Sequence, residues 1–563
     1  MAQEPTNVQF DINSAAAQEI SPLIYGGFIE FLRDFVNGPL GMWAQEIPNR
    51  GFDDRNLNES GLSGDWRPHS DIPENYYYSL IEGGYNPNGK YYVRIGQSAN
   101  HFRGVRQTIY VSPGVKHDFY IYAKSASPSD IRISFRNSIN NSVVFSYNIK
   151  TAAGDWRKYR IDNIPEFGAQ KIELIIQSKG AGNIYFDEAS LVPQDNVLGM
   201  RREYYELFES WKPNILRYPG GWFADIPDHH WELGIGDIDK RGSVYGGLHF
   251  IQRIDFGIDE FMEFCNSLDI EPHIVVNFNR DREEASNWLE YCNANADTPY
   301  GKIRADNGHP EPYAVKYWEI GNEQWGDETE MSEKYLLYYN DMKQIDSSAQ
   351  IIINGDLWRG KNNFDAIIST VGDKCQIFGW HLTVPARPPD SVRSEKIYES
   401  VIGAGYYSKS TLSNYRNWLE ERNLSPRMQF ANTEWWIEYG TEDDWLLDTN
   451  VRASSLEAGL SVAAHMIAFQ NNPKFYRMAE KTIGLGCIRT EIDTASCRRR
   501  IFGTPQYQAL RLFSNNSGDT LIPTAVYTEK FSVAQYPGLW AFDDIPYIQV
   551  SATKSNDPSI SQC

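Results

Sequence analysis

Residues 315–323 read VKYWEIGNE, and this stretch decides the fold. A short apolar strand runs into Gly321, and the turn that follows carries an amide and a carboxylate, Asn322 and Glu323. A helical segment, EKYLLYYNDMKQI (333–345), comes next and leads into another apolar strand, AQIIINGD (349–356). Working outward, the same alternation repeats in both directions. Upstream lie REYYELFESWK (202–212) then NILRYPGG (214–221), and FGIDEFMEFCNSL (256–268) then EPHIVVNF (271–278). Downstream, FDAIISTVG leads to QIFGWHL (376–382), SKSTLSNYRNWLEE to RMQFANTEWW (427–436), and ASSLEAGLSVAAHMIAFQ to AEKTIGLGCI (479–488). With the run ending IYGGFIE (24–30) as the first strand, there are eight strand-then-helix units. Buried strands alternating with helices at this spacing predict an α/β fold, a (β/α)8 barrel.

Two regions break the pattern. Between about 56 and 196 the chain shows short alternating strands, such as HDFYIYAKS (117–125) and KIELIIQSK (171–179), with no helical period. This reads as an antiparallel β-sandwich inserted after the first barrel strand. The expected organisation is therefore 1–55 for an N-terminal strand and the first barrel strand, and 56–196 for the insertion. The rest of the barrel falls in 197–490, and 491–563 is a C-terminal β region, read as a short β-sandwich.

Composition excludes several functions. Net charge is −21, which repels phosphate backbones and argues against a nucleic-acid partner. No apolar run approaches the roughly 18 residues of a membrane span. The opening MAQEPTNVQF has no basic and apolar leader, so the chain reads as either a mature secreted or periplasmic protein, or a cytoplasmic one. Six cysteines are too few for a disulfide scaffold, although Cys487 and Cys497 are close enough in sequence to bridge. There is no metal-spaced cluster of Cys and His, and no cofactor or metal is implied. Homo-oligomerisation is left open.

In a (β/α)8 barrel, polar groups at the C-terminal strand ends face the active site. Those ends carry Glu30, Arg217, Asn277, Asn322, Glu323, His381 and Glu434. Glu323 follows strand four and Glu434 lies on strand seven, opposite each other across the mouth. Two facing carboxylates suit glycosidic cleavage: one donates a proton to the leaving oxygen, the other attacks the anomeric carbon. Arg217 is placed to keep the nucleophile ionised, and Asn322 to bind the sugar 2-hydroxyl. The tryptophans at 318, 325, 435 and 436 border both acids and are candidates for desolvating them or stacking on sugar. A lone strand-end Glu is usually a surface acid, and a lone His usually structural. The joint pattern is what points to a glycosidase, and a retaining enzyme predicts carboxyl groups about 5–5.5 Å apart.

At these residues the chain resembles glycoside hydrolase family 51, best known for α-L-arabinofuranosidases. The matching motifs are SPLIYGGFIEFL, WAQEIPNRGFD, ILRYPGGWFAD, YWEIGNEQWG, NTEWW and TPQYQALRLFSNNSGDTLIPT. The resemblance implies a retaining mechanism with Glu323 as general acid/base and Glu434 as nucleophile. It places Glu30, Arg217 and Asn322 in the subsite for the cleaved sugar; the strand-end residues Asn277 and His381, Trp435 beside the nucleophile and Trp222 are further candidate substrate contacts. The insertion looks like a carbohydrate-binding module. The implied partner is a plant polysaccharide or oligosaccharide, and the implied reaction is release of arabinose from arabinoxylan or arabinan. Three departures bear on specificity: Trp222 where the family usually has Asn, Thr383 where it usually has Tyr, and FNRDREEA where a Gly-Thr-Gly loop is common. They keep open an endo-β-1,4-glucanase or xylan-active β-glycosidase of the same family, and more remotely a non-catalytic carbohydrate-binding protein.

Overall fold

The computed structural model describes residues 6–555 apart from 13–17, 33–34, 39–40, 169, 247–249, 325, 356–360, 390–391, 425–427, 441–450 and 494–497. Eight strands close into a parallel barrel: Gly26–Phe28, Ile215–Tyr218, Glu271–Val276, Tyr317–Ile320, Gln350–Asn354, Ile377–Ala386, Gln429–Tyr439 and Tyr476–Thr482. The ring shuts where Glu480 and Lys481 pair with Gly26 and Gly27. Helices pack around it, among them Ile258–Leu268, Arg282–Asn293, Glu328–Ile345 and Leu456–Gln470.

The strand period of two sorts the barrel interior into layers. Ile215, Tyr317, Ile352, Ile377, Ala431 and Met478 form one apolar cluster at the N-terminal end. Two residues further along the same strands stand Arg217, Glu319, Asn354, Gly379, Thr433 and Glu480. The core thus changes from apolar to polar within one pleat as it approaches the mouth. The intervening residues point outward to the helices and join the main core, as Leu216, Trp318 and Ile353 do.

Ten strands between Arg67 and Pro193 form two five-stranded antiparallel sheets that bury a separate core around Ile121, Ile133 and Phe186. This body sits on the segment that links barrel strand two to the helix Ile258–Leu268. Arg50, fully buried, contacts Glu188 of the sandwich at 2.7 Å, and Asp239 and Asp255 of that segment at 2.9 and 3.1 Å. Asp239 also accepts from the hydroxyls of Tyr120 (2.5 Å) and Tyr122 (3.1 Å) on the sandwich. A buried charge is costly unless paired, so this network holds the sandwich in one place against the mouth side of the barrel.

The C-terminal stretch is not all β. Pro505–Asn516 is a helix, capped by Thr504 with Pro505 in its first turn, and it buries Tyr507 and Leu510 on one face. The spacing i, i+3 and the Thr-Pro start carry that signal. Beyond it, short strands pair with the N-terminal ones: Asn7–Phe10 with Thr524–Tyr527, and Gln18–Glu19 with Thr520–Ile522. Cys487 is buried, and Cys497, its expected partner in a bridge, lies outside the described residues.

Candidate active site

Glu323, His381 and Glu434 meet at the barrel mouth: a carboxylate oxygen of each acid and a ring nitrogen of the histidine all lie within 4.8 Å of one another. His381 Nδ1 is 2.9 Å from Glu323 and 3.5 Å from Glu434. Glu323 stands in a turn with φ +47°, a left-handed conformation costly for a residue with a side chain, and its backbone N–H donates to Asn354 Oδ1 (3.2 Å). Its carboxyl is half exposed, whereas that of Glu434 is 12% exposed.

A bulge positions Glu434. Trp380 pairs with Asn432 and His381 with Glu434, so Thr433 is an extra residue on strand seven. A regular pleat would send one of two consecutive side chains outward. The bulge turns both inward: Thr433 Oγ1 donates to Glu319 (2.7 Å), and Glu434 faces His381.

Beneath the acids lies a layer of which sequence reasoning found Arg217 and Asn322 but missed the partners Glu319, Asn354, His273, Glu480 and Asp225. Arg217 is fully buried and donates from Nε to Glu319 (2.6 Å) and from Nη2 to Asn322 Oδ1 (2.9 Å). Its Nη1 has no hydrogen-bond acceptor and lies 3.7 Å from Glu434. The expected Arg217–nucleophile contact is therefore a longer-range one, and the primary partner of Arg217 is Glu319. Glu319 also accepts from Asn354 Nδ2 (2.7 Å), and His273 meets Glu480 at 3.0 Å in the same layer. Asp225 accepts from the backbone N–H groups of Phe278 (2.6 Å) and Asn322 (2.5 Å) and from Gln324, tying three mouth loops together. The inward-facing Glu319 of WEIGNE was the one readable signal for this layer.

Glu30 is buried beside the small helix Gly221–Ala224 and accepts from the Phe223 N–H (3.3 Å). Gly221 has φ +47°, and a Cβ there would fall on the Glu30 carboxyl, so the second glycine of YPGGW is needed for this approach. Trp222, on the same turn, is 48% exposed.

Two expected substrate contacts are not brought into the cluster. Trp435 follows Glu434 and so points the other way. It is fully buried, stacked on His465 at 5.3 Å and edge-on to Phe469 in the helix layer. Asn277 donates to the carbonyls of Ile226 (2.9 Å) and His229 (3.3 Å) and accepts from Asn279 N–H (2.8 Å), which commits both ends of its amide to loop backbone. Trp318 likewise faces outward, with Nε1 on the Val315 carbonyl (3.0 Å). Alternation returns Trp436 to the inner face, and Trp325 lies outside the described residues.

The electrostatics run against the simple expectation of a protonated Glu323 and an ionised Glu434. Burial pushes Glu434 up to about 7; His381 and Arg217 oppose that rise and Glu323 adds to it. Desolvation acts upward on Glu323 too, but the hydrogen bond and charge of His381 outweigh it and hold Glu323 below its ordinary range. Burial and the charge of Glu434 lift Glu30 to about 8. For His381, burial acts downward, and the charges of Glu434 and Glu323 win, raising it. Carboxylates this close titrate as a pair that shares a proton. Burial favours the neutral form at Glu434 more than at Glu323, which His381 holds down.

A (β/α)8 barrel with two close carboxylates at its mouth, a buried arginine beneath them and a histidine between them defines a glycoside hydrolase. The comparisons with known proteins narrow this. The α-L-arabinofuranosidase 1 domain family matches residues 207–373. The chain is 35% identical over 413 residues to the probable α-L-arabinofuranosidase C of Aspergillus clavatus, covering 67% of this chain and 76% of that protein. It is 22% identical to α-L-arabinofuranosidase 1 of Arabidopsis thaliana over 97% of this chain and 79% of that one. The GH51 α-L-arabinofuranosidase structure from Thermotoga petrophila superimposes with TM-score 0.53 at 27% identity, covering 64% of this chain and 74% of that one. An arabinose-bound GH51 enzyme, MgGH51, shares the fold over 92% of this chain and 84% of its own, with TM-score 0.72 and 15% identity. The chain belongs to glycoside hydrolase family 51, the α-L-arabinofuranosidase family.

Proposed function

We propose that this enzyme releases terminal α-L-arabinofuranose from plant polysaccharide with retention of configuration, using Glu434 as nucleophile and Glu323 as acid/base. The observation that carries the reading is the approach of the two carboxylates, with oxygens within 4.8 Å of each other, closer than the spacing an inverting enzyme uses to seat a water against the anomeric carbon. Retaining enzymes hold their acids about 5–5.5 Å apart, and inverting ones about 6.5–9.5 Å.

In the first step a Glu434 oxygen attacks the anomeric carbon as the glycosidic C–O bond breaks. The proton passes from Glu323 to the departing oxygen. Only one proton is needed over the pair. Substrate that sets its anomeric carbon against Glu434 favours the ionised form there and moves the shared proton to Glu323. In the second step Glu323 takes a proton from water, the water oxygen bonds to the anomeric carbon, and Glu434 is released as a carboxylate. Arg217 Nη1, aimed at Glu434 without an acceptor of its own, stabilises that carboxylate. Asn322 is held by Arg217 and Asp225 beside the sugar, and Glu30 borders the same subsite. Trp222, exposed at the rim, offers a stacking plane to the polymer side of the bond.

The test is a pair of variants. Glu434→Gln abolishes turnover, because no glycosyl-enzyme bond can form. Glu323→Ala loses far more activity on arabinoxylan than on an aryl arabinofuranoside whose leaving group needs no proton, and azide restores part of its turnover as the arabinosyl azide. Equal losses on both substrates with no azide product would overturn the assignment.

A further inference from the structure

The outer face of one sandwich sheet carries features the hydrolytic site does not use. This sheet runs in the order Gly154–Ile164, His117–Ser125, Asn183–Pro193, Tyr91–Gly96 and Tyr78–Glu82. Its inner side chains, Ala123, Ile184 and Val93 among them, belong to the sandwich core. The alternation therefore places Lys124, Tyr185, Tyr92 and Arg94 on the opposite face. Tyr185 pairs with Lys124 on one side and with Arg94 on the other, so one ring stands between two cations in a single row. The Lys124 ammonium lies 4.9 Å from the Trp156 ring, 5.6 Å from Tyr185 and 5.9 Å from Tyr92. All three rings are half-buried, with part of each open to solvent.

The cations of this row are met by aromatic rings and neutral groups. Arg94 donates to Ser79 Oγ (2.9 Å) and to Asn183 Oδ1 (3.4 Å), both neutral. Among the described residues no carboxylate pairs with Arg94 or Lys124, in a chain of net charge −21. Asp187 faces the same side but is held by the Tyr85 and Asn86 amides. The face is also continuous with the catalytic body: in the neighbouring rows of the sheet, Tyr120 and Tyr122 bond Asp239 of the barrel's mouth-side segment.

We propose that this face binds a uronic-acid-bearing glycan, with a uronate carboxylate held by Lys124 and Arg94 over Tyr185 and an adjoining sugar ring packed on Trp156 and Tyr92. Rings with one open face suit the apolar side of a pyranose, and a neutral chain alone would leave the two cations without a purpose. The site is separate from the hydrolytic centre. It gives an arabinose-releasing enzyme a grip on the acidic backbone or side groups of the polymer it trims.

The test is affinity electrophoresis of the full-length enzyme in glucuronoxylan free of arabinose, run beside the same polymer after carboxyl reduction. The acidic polymer retards the protein and the reduced polymer does so about tenfold more weakly, an effect that fades with salt. Lys124→Gln and Arg94→Gln each bring binding of the acidic polymer down to the level of the reduced one, while Trp156→Ala weakens both. Hydrolysis of an aryl α-L-arabinofuranoside is unchanged in all three. No retardation, equal retardation by the two polymers, or undiminished binding by both cation variants overturns the proposal.

Discussion

Glu319→Gln tests whether the layer beneath the acids holds the site together. The wild-type carboxylate accepts from three donors: Arg217 Nε at 2.6 Å, and Asn354 Nδ2 and Thr433 Oγ1 at 2.7 Å each. All are buried. A glutamine of the same shape has one acceptor oxygen and one donating nitrogen, so no orientation satisfies all three. With its oxygen toward Asn354 and Thr433, its NH2 faces the Arg217 Nε–H. Turned around, it faces the Asn354 amide, and only Thr433 can adapt by accepting. Arg217 is left with one carboxylate, Glu434 at 3.7 Å, for a fully buried charge. Breaking a buried pair in this way costs about 3–5 kcal/mol. Retention of two hydrogen bonds puts the expected loss near the lower end, a fall in melting temperature of about 3 °C for a chain of this length. If Arg217 then swings toward Glu434 and carries Asn322 with it, kcat/KM on an aryl arabinofuranoside falls by about a hundredfold, as displacements near 1 Å do elsewhere. Thr433→Val, which removes one neutral donor, costs about 1 kcal/mol and serves as the scale. A Glu319→Gln enzyme that melts within 1 °C of wild type and keeps a third of its kcat/KM would show that this layer is filling, not support.

Other outcomes follow from the same geometry. His381→Gln removes the charge that lowers both Glu323 and Glu434, so both limbs of the kcat/KM pH profile move to higher pH. In the wild type the alkaline limb reports loss of the last shared proton and falls as pH rises through about 7. A downward shift of either limb in the variant would contradict the shared-proton scheme. Gly221→Ala forces a side chain into the φ +47° backbone and onto the buried Glu30 carboxyl, so steady-state kinetics register a raised KM and calorimetry a lowered melting temperature. Trp222→Ala, which removes the exposed ring proposed to stack on the polymer, leaves the aryl arabinofuranoside rate within about twofold and lowers the rate on arabinoxylan several-fold.

What was legible in the sequence follows from how locally each feature is encoded. The barrel was readable because each strand and helix declares its own period, and the two acids because they sit at the ends of such strands. The errors arise where one residue reverses a face. Trp435 adjoins the nucleophile in sequence, yet the single extra residue at Thr433 puts two inward side chains in succession and sends the indole into the helix layer. No local pattern announces a bulge, because it is a property of the pairing between strands six and seven. Asn277 fails for a similar reason: it ends strand three as expected, but the backbone of the 226–229 loop, far away in sequence, claims its amide. Glu319 was open to better reading. Four residues before Glu323 on a strand whose inward set is Tyr317 and Glu319, it had to face the barrel interior, and a buried carboxylate there needed a cation. Arg217 was the available one. Pairing those two first would have shown that the arginine reaches the nucleophile only with its remaining nitrogen, which is the arrangement the site uses.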